Sequence, residues 1–229
     1  NYAVCLRGTD GSPVVRLGDG WAADLSADGK WALAVLQSRP PELVVYPTGA
    51  GETRRLERGG LESYATAQWF RDGKSVLIGG NEPGEGARFY VQAISGGAPR
   101  PVTPEGTRDG WLSPDGSLVV AKGPTGTYSL YPIGGGEPRP VPWLAEADVV
   151  AHWSADGRNV LAYRRAEIPC RLDRVDLVTG ERRLFKEIAP VDRAGLLSLR
   201  GVSFADDLRS YAYTTYHQVS SLFVSEKGQ

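Results

Sequence analysis

The chain has no methionine, and only two cysteines and two histidines among 229 residues. It begins at Asn1 without a methionine anywhere, so it is expected to be a mature form or an excised piece of a longer protein. Cys5 and Cys170 lie far apart and form no Cys-x-x-Cys pair, which excludes a zinc ribbon or thioredoxin-type site and leaves free thiols as the expectation. No apolar run approaches the roughly 18–20 residues that a membrane helix requires, and no signal peptide is visible. His-Glu-x-x-His and Gly-x-Ser-x-Gly are both missing, so neither a zincin site nor an α/β-hydrolase nucleophile is announced. Charge of one sign is also lacking: 26 basic residues face 27 acidic ones, for a net charge of −1. Without a basic field, nucleic acid and anionic membrane are not expected partners, and no membrane insertion is expected. No segment of helical length carries an apolar period of 3.6 residues.

Glycine (29) and proline (16) are plentiful, and they fall at intervals rather than in one block. The stretch WLSPDGSLVVAKG (111–123) shows why. Ser113 and Pro114 preset a turn, Gly116 supplies the left-handed conformation that closes it, and apolar runs flank it. The same pattern recurs in ADLSADGKWALAV, QWFRDGKSVLIGG, HWSADGRNVLAYR and, degenerately, VSFADDLRSYAYTTY. The turn aspartates are Asp28, Asp72, Asp115, Asp156 and Asp207, and three residues before each stands Leu25, Trp69, Leu112, Trp153 or Phe204. This interval of roughly 40–50 residues is that of a propeller repeat.

A second pair of strands follows each of the first four turns: LVVYP, FYVQAI, YSLYPI and RLDRVDL each precede a Gly-containing turn and a short Arg/Pro-rich strand. Pro and charge suit an exposed sheet edge, so these last strands belong on the outer rim. The expected fold is all-β: a β-propeller of four-stranded antiparallel blades. Roughly 21 strands make about five blades, or six if incomplete. The ring is closed by pairing N- and C-terminal strands, with Tyr2–Arg7 and Ser221–Ser225 competing for one slot. The whole of 1–229 reads as one domain, with blades at 21–61, 62–107, 108–146 and 147–196, and 197–229 combined with 1–20. An unclosed ring leaves strand edges free for dimerisation or domain swapping.

The pattern [LWF]-S-[PA]-D-G-[KR] followed by an apolar strand resembles the TolB-type, WD-repeat-like propellers of bacteria, across nearly the whole chain. LSADGKWALAV, YPTGAGETRRL and SLYPIGGGEPRPV are similar to propellers attached to bacterial serine/threonine protein kinases, although no kinase motif occurs here. The departures are Arg71 where Ser is usual, and Asp207-Leu208 where Asp-Gly is usual, which predicts a less regular last hairpin. The resemblance implies a module for recognition of proteins or ligands within a multidomain protein, in an extracytoplasmic, periplasmic compartment.

Three short motifs mimic chemistry. GDGWAA (18–23) matches a dinucleotide fingerprint, but another strand and turn follow it where a helix is required. RDGKS (71–75) lacks the first glycine of a phosphate loop. Asp24-x-Ser26-x-Asp28-Gly29 opens like a calcium loop, yet Val35 stands where the bidentate Glu belongs. All three read as blade turns.

Propellers bind where the loops entering their innermost strands converge. Those loops offer Trp21, Asp24, Tyr64, Gln68, Arg108, Asp109, Trp111, Asp148, His152 and Arg200, a mixture of aromatic and charged groups suited to peptide or sugar. The expected function is a non-catalytic binding, sensor or scaffold module that takes a protein or small-molecule ligand at the channel mouth, with no cofactor and no metal. Two alternatives stand beside it. One is a metal-dependent lactonase or esterase built on Asp24, Asp148 and His152, where a metal would polarise the carbonyl. The other is a gating propeller of a peptidase.

Overall fold

The computed structural model describes residues 2–165, 167–205, 207–218 and 220. The chain divides into two compact units, Asn1–Glu146 and Ala147–Gln229. The first opens with a two-stranded sheet, β1 (Ala3–Leu6) and β2 (Val15–Asp19). Three four-stranded antiparallel sheets follow: β3 (Trp21–Leu25), β4 (Trp31–Leu36), β5 (Glu42–Pro47) and β6 (Arg54–Arg55); β7 (Ser63–Trp69), β8 (Ser75–Asn81), β9 (Arg88–Ala93) and β10 (Arg100–Pro101); β11 (Arg108–Leu112), β12 (Leu118–Lys122), β13 (Tyr128–Pro132) and β14 (Arg139–Pro140). The second unit holds a fourth such sheet, β15 (Asp148–Trp153), β16 (Asn159–Arg164), β17 (Cys170–Asp176) and β18 (Arg182–Ile188), and then the pair β19 (Leu196–Phe204) and β20 (Tyr211–His217).

In every four-stranded sheet, spatial order follows chain order. This is the up-and-down meander of a propeller blade. The fold is therefore an all-β propeller of four-stranded blades, four of them complete among the described residues, and a two-stranded sheet stands towards each chain end. The closing strand expected at Ser221–Ser225 lies outside the described residues. The Arg/Pro strands β6, β10 and β14 are exposed two-residue edges, as a blunted rim requires.

Blades pack face to face because β4, β8, β12 and β16 are apolar on both faces. Leu33, Val35, Leu43 and Val45 of the first blade meet Tyr64, Ala67, Val76 and Ile78 of the second. On its other face the first blade buries Ala32, Ala34 and Tyr46 against Val4 and Leu17 of the N-terminal hairpin. The third blade packs Val119, Ala121 and Tyr131 on Leu77 and Phe89. Within the second unit, Leu161, Cys170 and Leu172 cover Leu199, Val202 and Phe204. Each fully buried leucine contributes about 1.5–3 kcal/mol.

The repeated turn has one hydrogen-bond design. Ser26 Oγ donates to Asp28 Oδ1 at 2.7 Å and accepts from Trp31 N at 3.0 Å, while Gly29 N donates to Ser26 O at 2.8 Å. Ser113 with Asp115 and Gly116, and Ser154 with Asp156 and Gly157, repeat it. In the second blade the residue at the serine position is Phe70, not Arg71. The turn there lacks the serine hydroxyl but keeps the backbone bonds Gly73 N to Phe70 O and Phe70 N to Ser75 O, both at 2.9 Å, and the Lys74 N to Asp72 Oδ1 bond at 2.9 Å. In the last hairpin Leu208 takes the glycine's left-handed conformation (φ 58°) and donates to Ala205 O at 2.9 Å, while the β19–β20 pairing shifts register twice.

Candidate functional site

Each innermost strand of the four complete blades carries a β-bulge that the sequence does not announce. The register shifts between Ala22 and Asp24, Tyr64 and Thr66, Arg108 and Trp111, and Val150 and His152. A bulge re-aims the side chain that follows it. In the first unit it turns two candidates onto the neighbouring blade. Asp24 Oδ2 accepts from Trp69 N at 2.8 Å, and its Oδ1 accepts from Leu25 N at 2.8 Å. Gln68 spans two backbone groups of β11: Nε2 donates to Gly110 O at 2.8 Å and Oε1 accepts from Leu112 N at 3.1 Å. Trp111 and His152 hold the equivalent positions, and the His152 ring lies 6.4 Å from that of Phe204. Trp69, Leu112 and Phe204 are the apolar residues three places before the turn aspartates. The repeated position thus binds β3 to β7 and β7 to β11, and in the second unit sets His152 against Phe204 of β19.

The remaining candidates differ in environment. Tyr64 is buried in the first interblade core, its hydroxyl finds no hydrogen-bond partner among the described residues, and burial raises its pKa. Asp109 holds a left-handed backbone (φ 52°), and its carboxylate lies 2.9 Å from the buried Lys122 ammonium, which also sits 5.2 Å over the Tyr128 ring. Trp21 and Arg108, the first residues of β3 and β11, are exposed, Trp21 at 41%. Asp148 is only 1% exposed and is paired with Arg182 Nη2 at 2.9 Å and Arg164 Nε at 3.6 Å. Arg200 lies in β19, and its side chain is outside the described residues. Trp21 and Asp24, Tyr64 and Gln68, and Arg108, Asp109 and Trp111 occupy the inner strands of three successive blades, of which β3 packs on β7. Asp148, His152 and Arg200 lie on β15 and β19, which pack together.

No family model matches the sequence, and no curated protein matches it. Solved structures do match the fold. TolB from Acinetobacter baumannii aligns with a TM-score of 0.67 at 16% identity, covering 94% of this chain and 60% of TolB. The chain has a TolB-like β-propeller fold. The β-propeller domain of the trilobed protease from Pyrococcus furiosus, described as having an open Velcro topology, aligns with a TM-score of 0.58 at 11% identity, over 94% of this chain and 71% of that one. The TolB-like propeller thus spans less than two thirds of the A. baumannii protein.

Two concavities of the TolB-like propeller were not foreseen. One, of about 460 Å³, lies at the rim of the second and third blades against Arg88, Arg100, Pro101, Tyr131 and Pro138. The other, of about 360 Å³, lies in the fourth blade and is lined by Asp148, Arg164, Glu167, Arg171, Asp173 and Arg182. Sequence reasoning assigned Arg182 only to an outer edge. Its long side chain crosses the blade to Asp148, a relationship no local pattern encodes. Among the described residues, no three His, Cys, Asp or Glu side chains come together as a metal site.

Proposed function

We propose that the chain is a non-catalytic recognition module of a larger bacterial protein. In this reading all of 1–229 is a single propeller domain in an extracytoplasmic compartment, and it takes a protein or small ligand at the mouth formed by the loops entering its inner strands. The supporting observation is a contrast among the inner-strand residues. Asp24 and Gln68 are engaged in bonding blades together, whereas Trp21 and Arg108 are exposed, and no described residue hydrogen-bonds or ion-pairs with the Arg108 side chain. Exposed Trp and Arg are the residue types that most often dominate binding energy. The trilobed protease, in which a propeller is one domain of a larger protein, offers an architectural parallel.

The test is to pan a displayed peptide library on the purified chain and to measure the selected peptides against a Trp21→Ala/Arg108→Ala variant. The expected result is at least tenfold weaker binding with an unchanged thermal midpoint. Equal binding by both proteins contradicts the site.

A further inference from the structure

The fourth blade carries a charged concavity that shares no residue with Trp21 and Arg108. Asp148, on the innermost strand, is buried and ion-paired to Arg182 from the outermost strand. The pair lines a concavity of about 360 Å³, together with Ala162. Arg182 Nε is also 3.7 Å from Asp173, and Arg164 Nη1 is 3.4 Å from Glu167. These contacts exceed the 2.7–2.9 Å typical of a charge-assisted hydrogen bond. Each of these carboxylates meets its arginine through one long contact only, so both keep acceptor capacity. Arg171, exposed on the same wall, has no partner there; Glu187, opposite it in register on β18, makes no ion pair with it. The lining therefore places an exposed guanidinium and two loosely paired carboxylates in one small concavity.

From this arrangement we infer that the fourth-blade concavity is a binding site for a small zwitterion of the α-amino-acid class. Its carboxylate is taken by the Arg171 guanidinium and its ammonium by Glu167 and Asp173. The balance of three guanidinium groups against three carboxylates favours a ligand with no net charge over a dianion such as phosphate. Asp148 acts as a positioning residue: it fixes the Arg182 and Arg164 forks from a dry site, where a paired charge is firmly held.

The experiment titrates the twenty free L-amino acids into the full chain by thermal shift and calorimetry, with propionate and ethylamine as single-charge controls. The expected result is saturable binding of at least one amino acid, weakened tenfold or more by Arg171→Gln and to a lesser degree by Glu167→Gln. Both residues are solvent-accessible, so these variants should fold. Trp21→Ala/Arg108→Ala should leave this binding intact, which separates it from the channel-mouth site. The inference is overturned if no amino acid binds, if Arg171→Gln binds as well as the parent, or if propionate binds as tightly as the amino acid.

Discussion

The carboxylate of Asp24 accepts the backbone N–H of Trp69 at 2.8 Å, so the inner strand of one blade is hydrogen-bonded to the inner strand of the next. Gln68 repeats the relationship one blade later, with two bonds to Gly110 and Leu112. A net contribution of about 1 kcal/mol per bond predicts that Gln68→Ala destabilises the chain by about 1–2 kcal/mol. Asp24→Ala should cost a similar amount, because its charge-assisted bonds are partly exposed. Urea unfolding measures both. An unchanged midpoint for Gln68→Ala would remove the interblade role.

The turn aspartates set the acid limit of stability. Donation from the hydroxyls of Ser26, Ser113 and Ser154 lowers the pKa of Asp28, Asp115 and Asp156. Asp176 is lowered further, chiefly by the Thr179 N–H and then by Arg158. The unfolded chain takes up these protons at ordinary carboxylate values near 4. The folded chain resists them, so the stabilisation is full above that value and is lost as pH falls through the folded values. Urea midpoints should be flat from about pH 7 to 5 and fall towards pH 3, less steeply in Ser113→Ala/Ser154→Ala. A midpoint that rises on acidification contradicts this assignment.

Close packing within and between blades makes certain glycines irreplaceable for steric reasons. A Cβ on Gly110 would lie 2.3 Å from the Phe89 ring, and one on Gly80 would lie 2.3 Å from the Ser63 carbonyl oxygen. Gly110→Ala and Gly80→Ala should each cost about 1–3 kcal/mol through overpacking. At Gly134 a Cβ meets nothing within 4 Å, so Gly134→Ala should be close to neutral in the same thermal assay.

The two thiols should react very differently. Burial pushes the Cys170 thiol up to about 11, whereas Cys5 is exposed. Because the thiolate is the nucleophile, iodoacetamide at neutral pH should label Cys5 and spare Cys170 until the chain is unfolded. Peptide mass spectrometry reads the sites directly, and native labelling of Cys170 would show that its face of the fourth blade opens.

The blades were legible because their signals are local. Ser-x-Asp-Gly turns, apolar middle strands and Arg/Pro rim strands each fit within a few residues of sequence. Leu208 shows that the turn geometry outlasts its own motif: the hairpin imposes a left-handed backbone on a residue that disfavours it. The bulges were hidden, because an extra residue in an alternating strand leaves no compositional mark. Their consequence, that Asp24 and Gln68 face a neighbouring blade, was hidden with them. The pairing of Asp148 with Arg182 joins residues at opposite edges of a sheet, and only the folded register brings them together.

The most direct measurement of the recognition account is calorimetric titration of one panned peptide against the parent chain, Trp21→Ala, Arg108→Ala and the double variant. The account predicts a loss of about 1–3 kcal/mol in binding for each single change, as expected for hot-spot residues, and no measurable binding by the double variant. A double variant whose Kd stays within about twofold of the parent's, well under 1 kcal/mol, would contradict it.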